Sequence, residues 1–534
     1  MAATADDGMA SAGVTEGRPT PRAIPEGPRD IASVLDRGLA HAADEEALVD
    51  ATRRYSYRAL DAAVDRAAAL LVELGADAGV RIACSAPNGC DIVIAFLAAQ
   101  RVGAIWVGLN RALPPREKAR LAAHAGAAIF LGDAAAISEL APFRADVPTL
   151  TAVQEMDSAG TWLRDVDTSF SRRPIDPHAI AAINYTSGTT GEPKGILHSQ
   201  HSLLTPAAAI TAFGLTGAAS RRGVFLPLTI TNVMVVGPLI AFLNATACLC
   251  AQGARIDELL PWLEAERVEV FSAVSAIIYD LARVETPPSP LKAVLSGGAP
   301  LSLPSARRFQ ERYGFWVTNT YGLTEAPTIV TETRARGDAP EGSSGLALPH
   351  IALTIRDERG EKLPAGATGE ICVEATTEGP WAGVYTPLPG YWRDPARSAA
   401  LAATPWLRTG DVGHLDEAGW LFVSDRKSEL ILRGGSNVYP QEIIRVIETH
   451  PRVAACAVVG VPDERLGERT FAFVQPADAA QDEDALVTEL RALCKEQLAS
   501  YKCPDLWRVM NPLPRNPGGK VILPELRALA LTLI

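Results

Sequence analysis

Residues 185–195 read Tyr185-Thr186-Ser187-Gly188-Thr189-Thr190-Gly191-Glu192-Pro193-Lys194-Gly195 and directly follow the apolar run 179–183. This order predicts a buried strand that ends in a phosphate-binding loop. Short hydroxyl side chains and glycine amides can surround a polyphosphate without steric obstruction, and Lys194 adds a positive charge. The stretch is not a P-loop, because Pro193 stands where that pattern has its second glycine.

On both sides of this loop, apolar residues at helical spacing alternate with short β-type runs. Such alternation predicts βαβ units and two largely parallel sheets. The predicted elements are helices from Tyr55, over 91–102 and over 117–125, and strands at 80–83, 104–107, 128–131, 268–271 and 293–296.

The second half of the chain has a different texture. Short strands separated by Gly and Pro predict a small β-barrel-like subdomain over about 345–425. One more α+β stretch follows, and it predicts a small, mobile C-terminal lid domain over 429–534. The expected fold is therefore α/β, with a large N-terminal domain over 31–425.

Composition and charge limit the function. The 534 residues exceed one compact core, and 48% apolar with 21% charged residues is typical of a packed soluble protein. A net charge of −12 provides no basic stripe for a nucleic-acid backbone. The eight cysteines show no C-x-x-C spacing, which predicts buried reduced thiols. Residues 1–30 lack the pattern of a signal peptide and predict a disordered tail of a cytoplasmic protein.

The run from Gly223 to Ala254 contains no charged residue, and its length would allow a membrane helix. Pro227, Asn232 and Pro238 interrupt the run, and soluble α/β patterning flanks it. We therefore predict a buried unit of strand, helix and strand and no transmembrane segment.

The phosphate loop resembles the signature loop of the adenylate-forming (AMP-binding) superfamily, which includes acyl-CoA synthetases, peptide-synthetase adenylation domains and firefly luciferase. Further motifs similar to those of that family follow in order. They are Ser296-Gly297-Gly298-Ala299-Pro300, Asn319-Thr320-Tyr321-Gly322-Leu323-Thr324-Glu325, Trp406-Leu407-Arg408-Thr409-Gly410-Asp411, Asp425-Arg426-Lys427 through Gly434-Gly435-Ser436-Asn437-Val438-Tyr439-Pro440, and Pro514-Arg515-Asn516-Pro517-Gly518-Gly519-Lys520. The matches cover the chain from about Tyr55 to Lys520.

The resemblance implies that a carboxylate attacks the α-phosphorus of ATP. Two anions must then approach each other, so the site needs cations and oriented donors. Lys194, Thr324, Glu325 and Lys520 are the implied catalytic residues, with Glu325 as the Mg²⁺ ligand and Lys520 as a bridge between the two anions. The residues implied to contact phosphate are Thr186, Ser187, Gly188, Thr189, Thr190, Gly191 and Lys194.

The resemblance assigns other residues to the nucleoside of ATP and to the thiol that takes part in the second half-reaction. Asp411, with Arg426, would bind the ribose, because an ionised carboxylate can accept from both hydroxyls. The residues implied around the adenine are Gly298, Ala299, Pro300, Asn319, Thr320, Tyr321 and Gly322. Gly434 and Gly435 would line a thiol tunnel, and a hinge over 426–428 would place its pivot at Ser428, where the family usually has Asp or Lys.

The segments that by resemblance line the acyl pocket contain no charged residue. The pocket residues are Val233, Met234, Val236, Gly237, Ser275, Ile277, Gly297 and Ala326. An uncharged lining predicts an apolar aromatic or medium-chain monocarboxylic acid and rejection of a second carboxylate. The family often has an aromatic or His after Pro227-Leu228, but this chain continues with the segment 229–232, so the gating residue stays unassigned.

The sequence favours a carboxylate–CoA ligase that uses ATP, Mg²⁺ and coenzyme A. A stand-alone enzyme that loads a non-amino acid onto a carrier-protein thiol is the alternative. An amino-acid substrate is disfavoured, because no Asp occurs from Gly223 to Ala254. A luciferase-like oxygenase and a non-enzymatic binding protein stay open, as does the oligomeric state, with a homodimer among the options.

Overall fold

The computed structural model describes residues 21–534 except 26, 165, 167–169, 187–192, 215–220, 254, 286, 289, 299–300, 302, 334–337, 427–428, 434–435, 479–481 and 517–518. The strands are β1 (Glu46–Val49), β2 (Arg54–Ser56), β3 (Arg81–Ser85), β4 (Ile105–Gly108), β5 (Ile129–Gly132), β6 (Ala152–Glu155), β7 (Ile180–Thr186), β8 (Lys194–Ser199), β9 (Arg221–Val224), β10 (Ala247–Cys250), β11 (Val270–Ala273), β12 (Ala293–Gly297), β13 (Thr318–Leu323), β14 (Ala326–Glu332), β15 (Leu346–Ala347), β16 (Ile351–Arg356), β17 (Gly369–Ala375), β18 (Tyr391–Trp392), β19 (Leu407–Leu415), β20 (Leu421–Arg426), β21 (Ile431–Arg433), β22 (Ser436–Val438), β23 (Val453–Asp463), β24 (Gly467–Pro476) and β25 (Leu506–Val509).

The α-helices are α1 (Asp36–His41), α2 (Tyr57–Glu73), α3 (Cys90–Val102), α4 (Pro115–Ala125), α5 (Ala134–Leu140), α6 (Gln200–Ala212), α7 (Thr231–Met234), α8 (Ile240–Leu243), α9 (Ile256–Ala265), α10 (Ser275–Leu281), α11 (Leu303–Tyr313), α12 (Pro395–Ala402), α13 (Pro440–Ile447), α14 (Glu483–Gln497) and α15 (Leu523–Thr532). Short 3₁₀ turns occupy Ile31–Ser33, Ala141–Asp146, Thr161–Leu163 and Ser500–Lys502.

Two large sheets form the N-terminal domain, as the alternating pattern predicts. One has the strand order β18-β8-β7-β4-β3-β5-β6, and the other β15-β14-β13-β12-β11-β9-β10-β1-β2. Both are parallel in the middle and antiparallel at one or both edges. The strand predicted at 268–271 begins two residues later, because the amide of Val268 still donates to Leu263 at the end of α9.

The largest apolar core joins these two sheets. Leu60 of α2, Phe96 of α3 and Leu203 of α6 belong to one cluster with Trp106 of β4 and Leu48 of β1. The rings of Phe96 and Trp106 meet edge to face at 5.6 Å, a favourable aromatic geometry. The core therefore holds the two sheets together, so that loops from both can contribute to one site.

The uncharged run 223–254 forms the predicted buried unit. It contains β9, a continuous helical segment over 231–243 and β10. The middle of that segment, Val235–Leu239, is a π-helical turn that contains Pro238, and a proline cannot donate to the preceding turn. Among the described residues no helix is long and apolar enough to cross a membrane.

The predicted β-rich subdomain contains an antiparallel sheet with the order β16-β17-β19-β20. An antiparallel bridge joins Leu421 of β20 to Gly345, directly before β15. Ile351, Val373 and Leu407 of this sheet pack against Ala326 and Val330 of β14. The small sheet therefore lies next to the hairpin that carries Thr324 and Glu325.

The C-terminal part from Ile431 is an α+β unit. Its sheet has the order β22-β21-β24-β23, and β25 pairs with β24. Helices α13 and α14 pack with one core cluster and α15 with another. The predicted hinge residue Ser428 lies outside the described residues.

The first described residues already pack onto the domain. The amide of Arg22 donates to the carbonyl of Gly383 at 2.8 Å, and Ile24 is buried in the large core. Within the tail predicted over 1–30, packing therefore begins at Arg22; residues 1–20 lie outside the described part.

Candidate active site

The ends of the predicted phosphate loop belong to an antiparallel strand pair. β7 ends at Thr186 and β8 begins at Lys194, and these two residues are register partners. Ser187, Gly188, Thr189, Thr190 and Gly191 lie outside the described residues, as does the side chain of Thr186. The described strands thus fix where the loop leaves and re-enters the sheet.

Lys194 and Glu325 form an ion pair although they are 131 positions apart. Thr324 and Glu325 make the two-residue turn between β13 and β14, where Leu323 pairs with Ala326. The Lys194 ammonium also lies 4.9 Å from the ring centre of Tyr391. The two ion-paired side chains keep 25% and 16% of their surface exposed, so each can exchange its partner for a ligand.

Glu325 fits the chemistry of a magnesium ligand. Mg²⁺ prefers oxygen ligands and commonly binds one or two carboxylates together with phosphate oxygens and water. Across the described part of the chain, no group of three or more His, Cys, Asp or Glu side chains gathers around a metal position. A single carboxylate completed by nucleotide oxygens is the arrangement that these residues allow.

Asp411 is the centre of a second polar group. Its carboxylate accepts from the Tyr321 hydroxyl at 2.6 Å and lies 3.3 Å from Nε of Arg426. Asp411 and Arg426 are register partners on β19 and β20. Burial raises the pKa of Asp411, while the Tyr321 hydrogen bond and Arg426 oppose the rise; burial, followed by Asp411, raises the pKa of Tyr321.

The strand ends beside this group bring the predicted adenine residues together. The Thr320 hydroxyl donates to the carbonyl of Ser296 at 2.9 Å, and a Cβ at Gly297 would lie 2.5 Å from that hydroxyl. A Cβ at Gly322 would lie 1.8 Å from the carbonyl oxygen of Thr328, so only glycine permits this approach. Asn319 donates its amide to Thr333; Ala299 and Pro300 lie outside the described residues.

Lys520 occupies a hairpin-like loop of the C-terminal domain. The bridge between Arg515 and Val521 closes this loop, and the Lys520 amide donates to the side chain of Asn516 at 3.0 Å. The loop reaches the N-terminal domain: a Cβ at Gly298 would lie 3.5 Å from Cε of Lys520. A Cβ at Gly519 would likewise lie 3.2 Å from the side chain of Val274.

The charges around Lys520 belong to the site. Lys520 is exposed as a residue, but withdrawal of its ammonium from bulk water lowers the pKa, and Arg426 adds to the decrease while Asp411 and Glu429 oppose it. Burial raises the pKa of Glu429. A lysine that is partly desolvated beside an arginine gains from a nearby anion, such as a carboxylate or a phosphate.

The predicted acyl-pocket residues divide into separate groups. Val233, Val236 and Gly237 line a small cavity together with Gly223, Val224, Phe225, Leu226 and Ser272. The centre of a water molecule can move within about 10 Å³ of this cavity, so the cavity accommodates roughly one water. Met234, Ile277 and Ala326 are buried in three different core clusters. Ser275 begins α10, and Gly297 ends β12.

Tyr391 and Glu429 lie beside the candidate site, and neither was assigned a role from the sequence. Tyr391 follows a Pro-Gly pair and faces Lys194, and its pKa is raised by burial and then by Glu325. Glu429 lies within the crossover stretch 425–440 and acts electrostatically on Lys520. Its place in that stretch is the one sequence signal for Glu429, and Tyr391 belongs to none of the motifs. Gly434 and Gly435 lie outside the described residues.

Comparison with known proteins agrees with this geometry. The family described as AMP-binding enzyme matches residues 35–380, and its C-terminal domain matches residues 442–520. A (methyl-dioxo-octahydroindenyl)propanoyl:CoA ligase of Mycobacterium tuberculosis is 32% identical over 94% of this chain and 99% of its own length.

Two further similar proteins are a ligase named for a carrier protein and an ATP-bound crystal structure. The fatty acid–acyl-carrier-protein ligase ScoC of Streptomyces coeruleorubidus is 28% identical over 89% of this chain and 91% of its own. The crystal structure of ATP-bound MatB from Rhodopseudomonas palustris superposes with a TM-score of 0.83, at 28% identity over 93% of this chain and 98% of that one. Sequence motifs, fold and family matches agree: the chain belongs to the AMP-binding enzyme family.

Proposed function

We propose that the chain is an ATP-dependent carboxylate–CoA ligase. In the first half-reaction, a carboxylate oxygen attacks the α-phosphorus, the bond to the β-phosphate oxygen breaks, and pyrophosphate leaves. In the second, the thiol sulfur attacks the acyl carbon, the carbon–oxygen bond to AMP breaks, and the thiol proton is released. The observation that carries the proposal is the Lys520 loop, which lies against Gly298 and within the field of Asp411.

The first half-reaction follows from the charges already present. Lys194 would exchange Glu325 for phosphate oxygens, and Asp411 would accept from the ribose hydroxyls. Lys520 would neutralise the repulsion between the incoming carboxylate and the α-phosphate, which is where the transition state gains charge. Magnesium, held through Glu325, would supply charge neutralisation on the leaving pyrophosphate.

The second half-reaction needs a thiol where the Lys520 loop now lies. We infer that the C-terminal domain rotates at Ser428 and that Gly434 and Gly435 then border the thiol path, because side chains there would narrow it. One small domain would thus serve two steps in turn.

The acid would occupy the space beside Val233, Val236 and Gly237, and the small cavity there would have to widen to admit it. These walls are uncharged, so we expect the part of the acid next to the reacting carboxylate to be apolar, either aromatic or aliphatic. Each buried methylene contributes about 0.8 kcal/mol.

A carrier-protein thiol is the alternative acceptor. The similarity to a fatty acid–acyl-carrier-protein ligase supports this alternative. We further propose Mg²⁺ as the metal, a cytoplasmic location, and a homodimer as the assembly to test.

The test is pyrophosphate release with a panel of acids, measured with and without CoA, followed by detection of the thioester. The proposal expects CoA to accelerate turnover and acyl-CoA to appear. Thioester formation only on a carrier protein would favour the alternative, and acid-dependent ATP consumption with neither thioester would contradict both. Lys495→Ala, an exposed lysine on α14, is a matched control for Lys520→Ala.

A further inference from the structure

Arg222 is a buried arginine without an acidic partner among the described residues. It is 3% exposed. Nη1 donates to the carbonyl of Val236 at 3.2 Å, and Nη2 is buried with no hydrogen-bond partner in the described part of the chain. The preceding residue, Arg221, instead binds Glu46 at 2.6 Å and Glu266 at 3.2 Å.

A buried guanidinium with a single backbone acceptor is stabilised by an additional hydrogen-bond acceptor. A guanidinium has five N–H donors, and a buried charge without a partner is unfavourable. Burial lowers the pKa of Arg222 to about 10, so the side chain remains charged at neutral pH. Among the described residues, one backbone carbonyl and no carboxylate bind that charge.

Arg222 lies next to the small cavity beside Val233, Val236 and Gly237, although it is not one of the lining residues. Alternation along β9 places its side chain on the face of Val224, and both Val224 and Val236 line the cavity. Arg222 is the register partner of Val270, and Val270 is the register partner of Ala293. Gly297 lies four residues beyond Ala293 on β12, or about 13 Å along that strand. Arg222 is thus beside the end of the proposed acyl space that is far from the proposed nucleotide site.

We infer that Arg222 is a specificity-determining residue that binds an oxygen acceptor at the far end of the substrate. Resting on the proposed ligase function, this assigns the substrate class as acids with an apolar middle and a second, terminal oxygen acceptor, for which a carboxylate is the strongest partner. The inference revises the expectation that a second carboxylate is rejected. That expectation considered only the uncharged lining, and Arg222 stands one residue before the uncharged run.

The π-helical turn gives a competing structural role for Arg222, because the guanidinium satisfies the Val236 carbonyl within that turn. A structural role would affect all acids equally. A recognition role would change the ratio between acids that differ only at the far end. The ratio of specificity constants is therefore the decisive quantity.

The experiment compares chain-length series with different ends: hexanoate, 5-oxohexanoate and adipate, then octanoate, 7-oxooctanoate and suberate. Pyrophosphate release is measured for wild type, Arg222→Met, Arg222→Lys and the control Arg221→Met. We expect wild type to prefer an acceptor-ended acid by at least about tenfold in kcat/KM. Arg222→Met should abolish or reverse that preference, Arg222→Lys should keep part of it, and Arg221→Met should keep it all.

Two results would overturn the inference: a wild-type preference for the alkanoate, or an equal loss for every acid in Arg222→Met. If Arg222→Met does not fold, Arg222→Lys and Arg222→Gln give the same ratio test. The ketone and diacid arms distinguish a carbonyl from a carboxylate.

If no acid supports pyrophosphate release, the ligase proposal fails, and thermal shift with the same acids still tests Arg222. Stabilisation of wild type but not of Arg222→Met by acceptor-ended acids supports the inference; equal shifts contradict it.

Discussion

At the proposed nucleotide end of the site, Asp411 accepts from Tyr321 and faces Arg426, and Lys194 pairs with Glu325. At the proposed acyl end, Arg222 has one carbonyl acceptor and a buried Nη2 without a partner in the described residues. The first group of residues is therefore organised by its own charges before a ligand binds. The second leaves a charge for a ligand to satisfy, and for this reason we expect specificity to be determined there.

Lys520→Ala is expected to have the largest effect. Adenylation should fall by several powers of ten, at about 1.4 kcal/mol for each factor of ten, because the positive charge between the two reacting anions is lost. Thioester formation from a supplied acyl adenylate should survive much better. Single-turnover assays of both half-reactions give the answer, with Lys495→Ala as the control.

An equal loss in both half-reactions of a folded Lys520→Ala would contradict this division of labour.

Ser428→Pro is expected to have the next largest effect. Proline fixes φ near −65°, so the backbone change that domain rotation requires should be restricted. One half-reaction should persist while the other falls by roughly a hundredfold, or about 2.7 kcal/mol. Ser428→Ala is the control for loss of the hydroxyl. Ser436→Pro is unsuitable as a control, because Ser436 is the register partner of Arg433 in the strand pair β21–β22. Wild-type rates for both steps in Ser428→Pro would place the hinge elsewhere.

Asp411→Asn separates the two ends directly. A hydrogen bond to a charged group is worth about 1.5–3 kcal/mol, so the KM for ATP should rise roughly tenfold to a hundredfold. The preference among acids, which we assign to Arg222, should not change. Initial rates with varied ATP and with two acids of different ends measure both quantities, and a changed acid preference would show that the two ends are not independent.

Motif order predicted most of the residues that we assign to the nucleotide end. The family membership and the α/β architecture predicted from the loop at 185–195 are confirmed by the family matches and the fold. The pairing of Lys194 with Glu325 and of Asp411 with Arg426 agrees with motifs that resemble those of one family. Their assigned roles stay predictions until they are measured.

The acyl end was less accessible to sequence reasoning, because burial and strand register decide it. Met234, Ile277 and Ala326 lie in uncharged segments, but tertiary packing directs them into three separate cores. Arg221 and Arg222 are neighbours in the sequence, and only the register of β9 shows that one reaches carboxylates and the other a buried carbonyl. A shift of one residue would exchange their faces.

Tyr321→Phe is expected to have the smallest effect, and it tests whether the nucleotide end is organised as the structure indicates. It removes one hydrogen bond to Asp411, worth about 0.5–1.5 kcal/mol, so the KM for ATP should rise roughly two- to tenfold.

The pH dependence of ATP binding in Tyr321→Phe tests the role of Asp411 more specifically. Burial raises the pKa of Asp411, and the Tyr321 hydrogen bond opposes that rise, so removal of the hydroxyl should raise the pKa further. We propose that ribose binding needs the ionised carboxylate, so ATP affinity should weaken as pH falls through this pKa, and the loss should begin at higher pH in Tyr321→Phe than in wild type. Measuring both enzymes at the same pH values cancels the titration of ATP itself. An identical acid limb in both would mean that Asp411 does not control nucleotide binding through its charge.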